Sequence, residues 1–437
     1  MPRALVGSPA RLPMPRLLLV ALVVGFAFPC GVLAGCRTAA PPDAGQPGAS
    51  PAEAVPLVLV SIDGFRWDYR DRAETPALDR LAAEGVHAGR LVPVFPTLTF
   101  PNHYALVTGL HPEHHGIVGN SMRDPALGAF SLGNREAVTD ARWWAGEPLW
   151  ATAERQGARA ATMFWPGSEA AIGGVRPSDW KVYDETVPAE ARVDTVLAWL
   201  ARPAATRPRL VTLYFEDVDH AGHADGPDAP ETTAAIEHVD AAIARLTAGL
   251  AALGRPVNVV VVSDHGMAAL SPDRVAYLDD AAPRFAAQAE TVLWGATTLV
   301  WPQPGRLDSL AAALGTVDHM TVYRRDAPEA AGGVPDRLHF RDNVRIAPLV
   351  LVADEGWTLT TRATARPPRG GTHGYDNAVR SMSGILIARG PAVRSGGAAV
   401  AEFRTVDVYA MLCAALGIAP APNDGDPAAA RTVLAAP

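Results

Sequence analysis

The chain has 437 residues, 49% of them hydrophobic, with 38 basic and 46 acidic side chains for a net charge of −8. That length suits one large α/β unit carrying an insertion, and the apolar share is ample for a buried core. The first 35 residues hold three arginines and no acid, so the remainder carries −11 (35 basic, 46 acidic). This argues against a broad basic surface for duplex nucleic acid or an anionic membrane. Lys181 is the single lysine, a composition bias without functional content.

In chain order, residues 1–35 read as a targeting segment, with Arg16 before the apolar run Leu17–Val24 and either Met1 or Met14 as its start. The segment closes on Leu33-Ala-Gly-Cys36, which resembles a bacterial lipobox. The expectation is an exported lipoprotein of a bacterial cell envelope, periplasm-facing or on the outer membrane, held to the membrane by a lipid anchor at Cys36. Residues 36–54, rich in Ala, Pro and Gly, read as a flexible tether. Cys30 falls in the removed segment and Cys413 in an apolar helical pattern, so no disulfide framework is expected.

A catalytic domain is expected over 55–420, with a tail at 421–437. Pro56–Ile62 is a nearly continuous apolar run, as in a strand buried on both faces, and it ends in Asp63-Gly-Phe-Arg66. Thr75–Gly85 carries a cap residue, a proline at the first helical position and a closing glycine. Within Val94–Tyr104 a helix is expected to start near Phe100, with Thr99 as N-cap, and to stop at Gly109. A strand over Ala158–Trp165, a short helix over Val193–Leu200 and a strand over Leu210–Phe215 follow, the last running into Glu216-Asp-Val-Asp-His-Ala-Gly-His223. A long helix over 230–253 leads to the strand Val257–Val262 and Ser263-Asp-His-Gly-Met267. Alternation weakens over 270–370, where strand-like pieces (Thr297–Trp301, Leu349–Val352) and a helix at 307–314 suggest an inserted cap subdomain. Gly370–Asp376, a strand over Gly384–Ala388 and a helix over 405–416 complete the chain. Strands alternating with helices imply an α/β fold with a mainly parallel central sheet and helices on both faces.

The chemistry-bearing residues share one placement. Asp63, Asp219 and Asp264 each follow an apolar strand, at the edge where open α/β sheets bind ligands. With His223, His265 and His373 they make three carboxylates and three imidazoles, a donor set that suits zinc at roughly 2.0–2.2 Å per ligand. Two zincs about 4 Å apart clamp the attacking and leaving oxygens of a phosphoryl displacement. His87, His111, His238, His319 and His339 lack such a setting, and His220 is expected to face away. Thr99 is either an ordinary cap hydroxyl or, beside the positive end of a helix, the seat of a phosphate or sulfate oxygen.

Phe95-Pro-Thr-Leu-Thr-Phe-Pro-Asn-His-Tyr104, Thr108-Gly-Leu110 and His115-Gly-Ile-Val-Gly-Asn120 resemble the nucleotide pyrophosphatase/phosphodiesterase family of the alkaline phosphatase superfamily. Asp63-Gly-Phe-Arg66, Asp219-His-Ala-Gly-His223, Ser263-Asp-His-Gly-Met267 and Gly371-Thr-His-Gly374 match the rest of its signature in order. The resemblance implies an alkaline-phosphatase-like fold with Thr99 as nucleophile. It further implies one zinc on Asp63, Asp264, His265 and Thr99, and a second, water-activating zinc on Asp219, His223 and His373. Asn120 and the Phe100 N–H would hold a non-bridging oxygen, and two in-line steps through a phosphothreonine would retain configuration at phosphorus. Phe100 and Tyr183 would sandwich a base, and Trp165 would join the same pocket. The implied substrates are small nucleotide diesters and pyrophosphates yielding nucleoside 5′-monophosphates; the alternative is glycerophosphodiesters or lysophospholipids. Leu98 and Ser121 stand where some nucleotide-specific relatives have lysines. A diester is expected over a monoester for want of a matching Lys/Arg pair, and a threonine nucleophile without Cys-x-Pro-x-Arg speaks against a sulfatase.

Overall fold

The computed structural model describes residues 55–436. The expected signal segment, the lipobox with Cys36 and the tether up to residue 54 lie outside them. Among the described residues no helix is long and apolar enough to cross a membrane.

Eight strands form the central sheet in the order Ala398–Val400, Val86–Ala88, Leu386–Arg389, Asn258–Val262, Leu57–Ile62, Leu210–Phe215, Ala160–Met163, Asp179–Trp180. Seven run the same way and Leu386–Arg389 runs against them, so the sheet is mainly parallel, as expected. The central strand shows why its apolar run is continuous. Leu57 and Leu59 pack into one core with residues of the helices Thr99–Thr108, Leu149–Arg155 and Thr405–Leu416. Val58, Val60 and Ile62 pack into another with residues of the helices Pro76–Glu84, Ala189–Leu200 and Pro230–Ala252. Side chains of a strand alternate in direction, so a sheet covered on both faces needs apolar residues at every position.

Register decides where the polar residues emerge. Leu57–Ile62 pairs in step with Leu210–Phe215 (Ile62 opposite Phe215) and with Asn258–Val262 (Ser61 opposite Val262). The three strands therefore end level, and the segments that leave them start from one edge.

Helix ends are less uniform than the sequence suggests. Thr75 makes no capping bond; instead the buried Asp240 carboxylate of the long helix accepts from the N–H groups of Ala77 and Leu78 (3.0 and 2.9 Å). A tertiary contact thus fills the role assigned to a local hydroxyl. Thr99 is the first residue of its helix and Leu98, extended, is the N-cap, one position earlier than expected. Gly109 closes that helix in the left-handed region (φ 66°), where a side chain would be strained.

The interval 270–370 holds a four-stranded antiparallel sheet, in the order Ala289–Leu293, Thr297–Pro302, Leu349–Ala353, Met320–Arg324. Arg345 ties this region to the loop that leads to Asn120: its guanidinium donates to the carbonyls of Gly116 and Trp143 (2.7 and 2.6 Å) and pairs with Asp124 (2.8 Å). The segment after residue 420, read as a tail, packs: Val433 is buried, and the Asp424 N–H donates to the Gly109 carbonyl (2.8 Å). Cys413 is buried in the core as expected.

His115 fixes the same loop from inside. Its Nε2–H donates to the Pro101 carbonyl (3.2 Å), and its Nδ1 accepts from the Ile117 N–H (3.1 Å). Burial pushes the ring from the ordinary 6.5 down to about 3, so the folded chain keeps it neutral. Between those values the unfolded chain binds a proton that the folded chain refuses, and stability falls as pH drops below about 6.5. The thermal unfolding midpoint should therefore fall from pH 7 to pH 5, and His115→Gln should make that slope shallower. An unchanged slope in the variant would count against the assignment.

Candidate active site

The level strand ends gather the expected ligands. Asp63 follows Leu57–Ile62, and Asp264 and His265 follow Asn258–Val262. Asp219 and His223 sit on the helix Asp217–Asp225, which the sequence reading did not anticipate, and their four-residue spacing puts both on one face. His373 follows the short strand Gly371–Thr372. Gly64 (φ 67°) makes the approach possible, since a Cβ there would stand 3.0 Å from Asp219 Oδ1, and its N–H donates to Asp264 Oδ1 (3.2 Å).

Two overlapping groups have ligand atoms mutually within 4.8 Å: Asp63, Asp264 and His265, and Asp219, His265 and His373. His265 Nε2 stands 3.0 Å from Asp264 Oδ2 and 3.5 Å from Asp63 Oδ1. His223 Nε2 stands 3.6 Å from Asp219 Oδ2 and 3.1 Å from His373 Nε2, so it joins the second group, though its side chain is more exposed than the rest. The His265 and His373 rings stack at 3.6 Å. His220 is exposed beside the cluster and outside it, at the edge of a cavity.

Each imidazole is oriented by its far nitrogen. Nδ1–H of His265, His373 and His223 donates to the carbonyls of Gly266, Thr97 and Gly371 (2.9, 2.8 and 3.0 Å). Hydrogen bonding of this kind selects the tautomer and turns an Nε2 lone pair inward, the arrangement of a metal-binding histidine.

Charge tells the same story. Burial, then repulsion from Asp264 and Asp219, holds the Asp63 carboxyl well above the usual carboxylate range. Burial also raises Asp219. For Asp264 burial acts upward too, but the His265 and His103 rings outweigh it and hold that carboxyl low. His373 is driven well below the ordinary imidazole value by burial and by the rings of His265 and His223. Asp63 Oδ1, Asp219 Oδ1 and Asp264 Oδ2 are buried without a hydrogen-bond partner among the described residues. Three orphaned carboxylate oxygens beside inward imidazole lone pairs are what divalent cations would satisfy, so the donor set fits.

Thr99 lies at the same point, its Oγ1 3.3 Å from His265 Nε2. The turn before it is held by buried Asn102, whose Nδ2 donates to the carbonyls of Pro96 and Leu98 (3.1 and 3.0 Å) and whose Oδ1 accepts from the Val94 N–H (2.7 Å). The helix end is a narrower anion seat than expected. The Phe100 N–H donates to Asn120 Oδ1 (2.9 Å), Pro101 has no N–H, and the Asn102 N–H returns to the Leu98 carbonyl (3.1 Å). Asn120 and Phe100 are thus adjacent but bonded to each other, and the Asn120 Nδ2 is left as the donor.

A cavity of about 270 Å³ opens beside Thr99, walled by Phe100, Phe164, Trp165, Tyr183 and Tyr214. All three aromatics expected at a base pocket border it, to different degrees. Tyr183 is 39% exposed and meets Phe164 edge-on (5.3 Å), while Trp165 is buried and its indole N–H donates to the His103 carbonyl (3.0 Å). The charged side chains on the wall are acids and Arg135, which pairs with Glu169.

Two supporting residues escaped sequence reasoning. Tyr214 donates its hydroxyl to Asp63 Oδ2 (2.6 Å) from inside a strand whose apolar run hides it. His103 bonds Ser61 Oγ (2.8 Å) and the Thr99 carbonyl (2.9 Å) and lies 3.3 Å from Asp264 Oδ2. Its four-residue spacing from Thr99 on a helix was the available signal.

Residues 57–376 match the family described as type I phosphodiesterase/nucleotide pyrophosphatase. The chain is 38% identical over 388 residues to a venom phosphodiesterase of Macrovipera lebetinus, covering 85% of this chain and 44% of that one. It is 37% identical over 392 residues to ectonucleotide pyrophosphatase/phosphodiesterase family member 3 of Rattus norvegicus, covering 87% and 44%. It thus spans less than half the length of these curated relatives. Human ectonucleotide pyrophosphatase/phosphodiesterase 5 superposes with a TM-score of 0.81 at 33% identity, over 87% of this chain and 100% of that one. An inactive form of the murine protein, solved in complex with AMP, does so with 0.81 at 34%, over 88% and 100%.

Removing the partner of a metal-ligating carboxylate commonly weakens metal affinity by about 10–100-fold. Tyr214→Phe should therefore loosen metal binding by about that factor in a chelator competition, with the fold retained. Unaltered affinity would remove Tyr214 from the site.

Proposed function

The chain belongs to the type I phosphodiesterase/nucleotide pyrophosphatase family, and from that premise we propose that it hydrolyses nucleotide phosphodiester and pyrophosphate bonds to nucleoside 5′-monophosphates, with two zinc ions and Thr99 as nucleophile. The observation that carries the proposal is the Thr99 hydroxyl, 3.3 Å from His265 Nε2 at the meeting point of three carboxylates and three imidazoles, with an aromatic cavity alongside.

In this reading Asp63, Asp264 and His265 hold one ion near Thr99, and Asp219, His223 and His373 hold the other. Bound there, the ions would lower the pKa of the threonine hydroxyl and of water and offset charge on the phosphoryl oxygens. Thr99 Oγ1 attacks phosphorus and gives up its proton to solvent. The bond to the leaving oxygen breaks, and that oxygen keeps the electron pair and takes a proton from water. Water then attacks the Thr99 phosphoester from the vacated side, and Thr99 regains its hydroxyl, so two inversions give net retention. Asn120 Nδ2 donates to a non-bridging oxygen, a role its Oδ1 contact with Phe100 orients it for.

Phe100 and Tyr183 contact the base, and Trp165 backs the pocket. Stacking tolerates any base, so little base preference is expected. A diester is favoured because Arg135 is already paired with Glu169, leaving the cavity wall, among the described residues, without a free guanidinium or ammonium for a dianionic monoester. Glycerophosphodiesters or lysophospholipids are not favoured, since the wall beside Thr99 is aromatic and carries acids rather than forming a long aliphatic channel.

The expected order of turnover is p-nitrophenyl thymidine monophosphate, then bis-p-nitrophenyl phosphate, then the monoester. Thr99→Ala should reduce turnover by at least about a thousandfold with metal content unchanged, and EDTA should abolish it until zinc is restored. Full activity in Thr99→Ala would overturn the nucleophile. The location proposed is the bacterial cell envelope through acylated Cys36. Cys36→Ser should shift the protein from the membrane to the soluble fraction, and equal membrane association would refute the anchor.

A further inference from the structure

A second cavity, also about 270 Å³, opens beside Asn120. Asn120, His223 and His373 border it, as Thr99, Asp63 and Asp219 border the first, so the two cavities flank one cluster. Its far wall is the hairpin between Ala289–Leu293 and Thr297–Pro302, with Trp294 at the turn.

Three observations separate this cavity from an incidental groove. Among the described residues five large apolar side chains stay well exposed; Leu132 and Tyr183 stand at the first cavity, and Trp294, 46% exposed, stands at the second. The hairpin is also tied down. Thr298 Oγ1 donates to the Gly295 carbonyl (2.8 Å), Thr297 Oγ1 donates to the Gly374 carbonyl next to His373 (2.6 Å), and Phe285 packs against the indole (5.9 Å). Finally, apart from the two histidines, the lining holds no ionisable side chain among the described residues, and Leu98 and Ser121 face it as neutral residues. Arg123, close by in sequence, is engaged with Glu290 (2.7 Å) and Thr291 (3.1 Å).

We propose that this second cavity receives the leaving group, and that Trp294 is its stacking platform, so that the enzyme selects a neutral nucleoside leaving group over pyrophosphate. The inference rests on the phosphodiesterase reading given above. An in-line displacement sends the leaving oxygen away from the nucleophile, and a group that departs into this cavity meets an indole and neutral side chains. A nucleoside stacks there. Pyrophosphate, several times negatively charged, finds no guanidinium or ammonium among the described lining residues to pair with.

The test compares two substrates that place the same adenosine 5′-phosphate on Thr99: adenylyl-(3′→5′)-adenosine, which expels adenosine, and ATP, which expels pyrophosphate. With the zinc-loaded chain, kcat/KM should be higher for the dinucleotide. Trp294→Ala should lower it about tenfold for the dinucleotide and leave ATP within twofold, while Trp294→Phe retains most of it. Tyr183→Ala should lower both substrates alike, and Ser121→Arg should raise ATP relative to the dinucleotide. If Trp294→Ala affects neither substrate, or both equally, the leaving-group assignment falls and the phosphodiesterase reading stands. If the wild-type chain turns over neither substrate, both fall.

Discussion

Three carboxylates crowded into a buried pocket are the constraint from which the site follows. Asp63, Asp219 and Asp264 are each nearly inaccessible to solvent, and each leaves an oxygen without a partner among the described residues. Burying unpaired charge is costly, and a protein normally relieves it by neutralising the group or supplying an opposite charge. Here the chain does a little of both: Asp63 is driven toward its neutral form, and Asp264 leans on two imidazoles. Neither device reaches all three oxygens, and divalent cations would satisfy the whole set.

The rest of the neighbourhood holds that arrangement rigid. Three backbone carbonyls orient three imidazoles, Tyr214 and His103 brace Asp63 and Asp264, and Asn102 clamps the turn that presents Thr99. These contacts come from segments far apart in sequence and converge because a parallel sheet ends its three central strands level. Loops that leave such an edge can be short and still meet, which is why this edge so often binds ligands.

The cluster also divides the surface into two unlike compartments. One is aromatic with acids on its wall, and the other, whose only ionisable lining side chains among the described residues are His223 and His373, is bounded by the hairpin carrying Trp294. The hairpin belongs to the separate antiparallel sheet, which is fastened to the site through Thr297 and, through Arg345, to the loop before Asn120. The chemistry therefore sits on the central sheet, while the second sheet shapes what can sit next to it.

Much of this was legible in the chain. Apolar runs such as Leu57–Ile62 and Leu210–Phe215 announced doubly covered strands, the acids after them marked the ligand edge, and the helices 307–314 and 405–416 ended where the pattern said. These features depend on local periodicity, which a sequence carries by itself. Helix Asp217–Asp225 was missed because its short polar turn lacks an apolar stripe, and the true cap of Pro76–Glu84 because it is Asp240, some 160 residues away. The Asn120–Phe100 bond, the roles of Tyr214 and His103, and the two cavities were likewise out of reach. The sequence alone determined which residue types could carry the chemistry and which strands would bear them, since both follow from side-chain character and spacing. Only the tertiary structure decided which donors meet, which oxygens go unpaired and what stands on either side of Thr99, because those depend on distances between segments that no local pattern encodes.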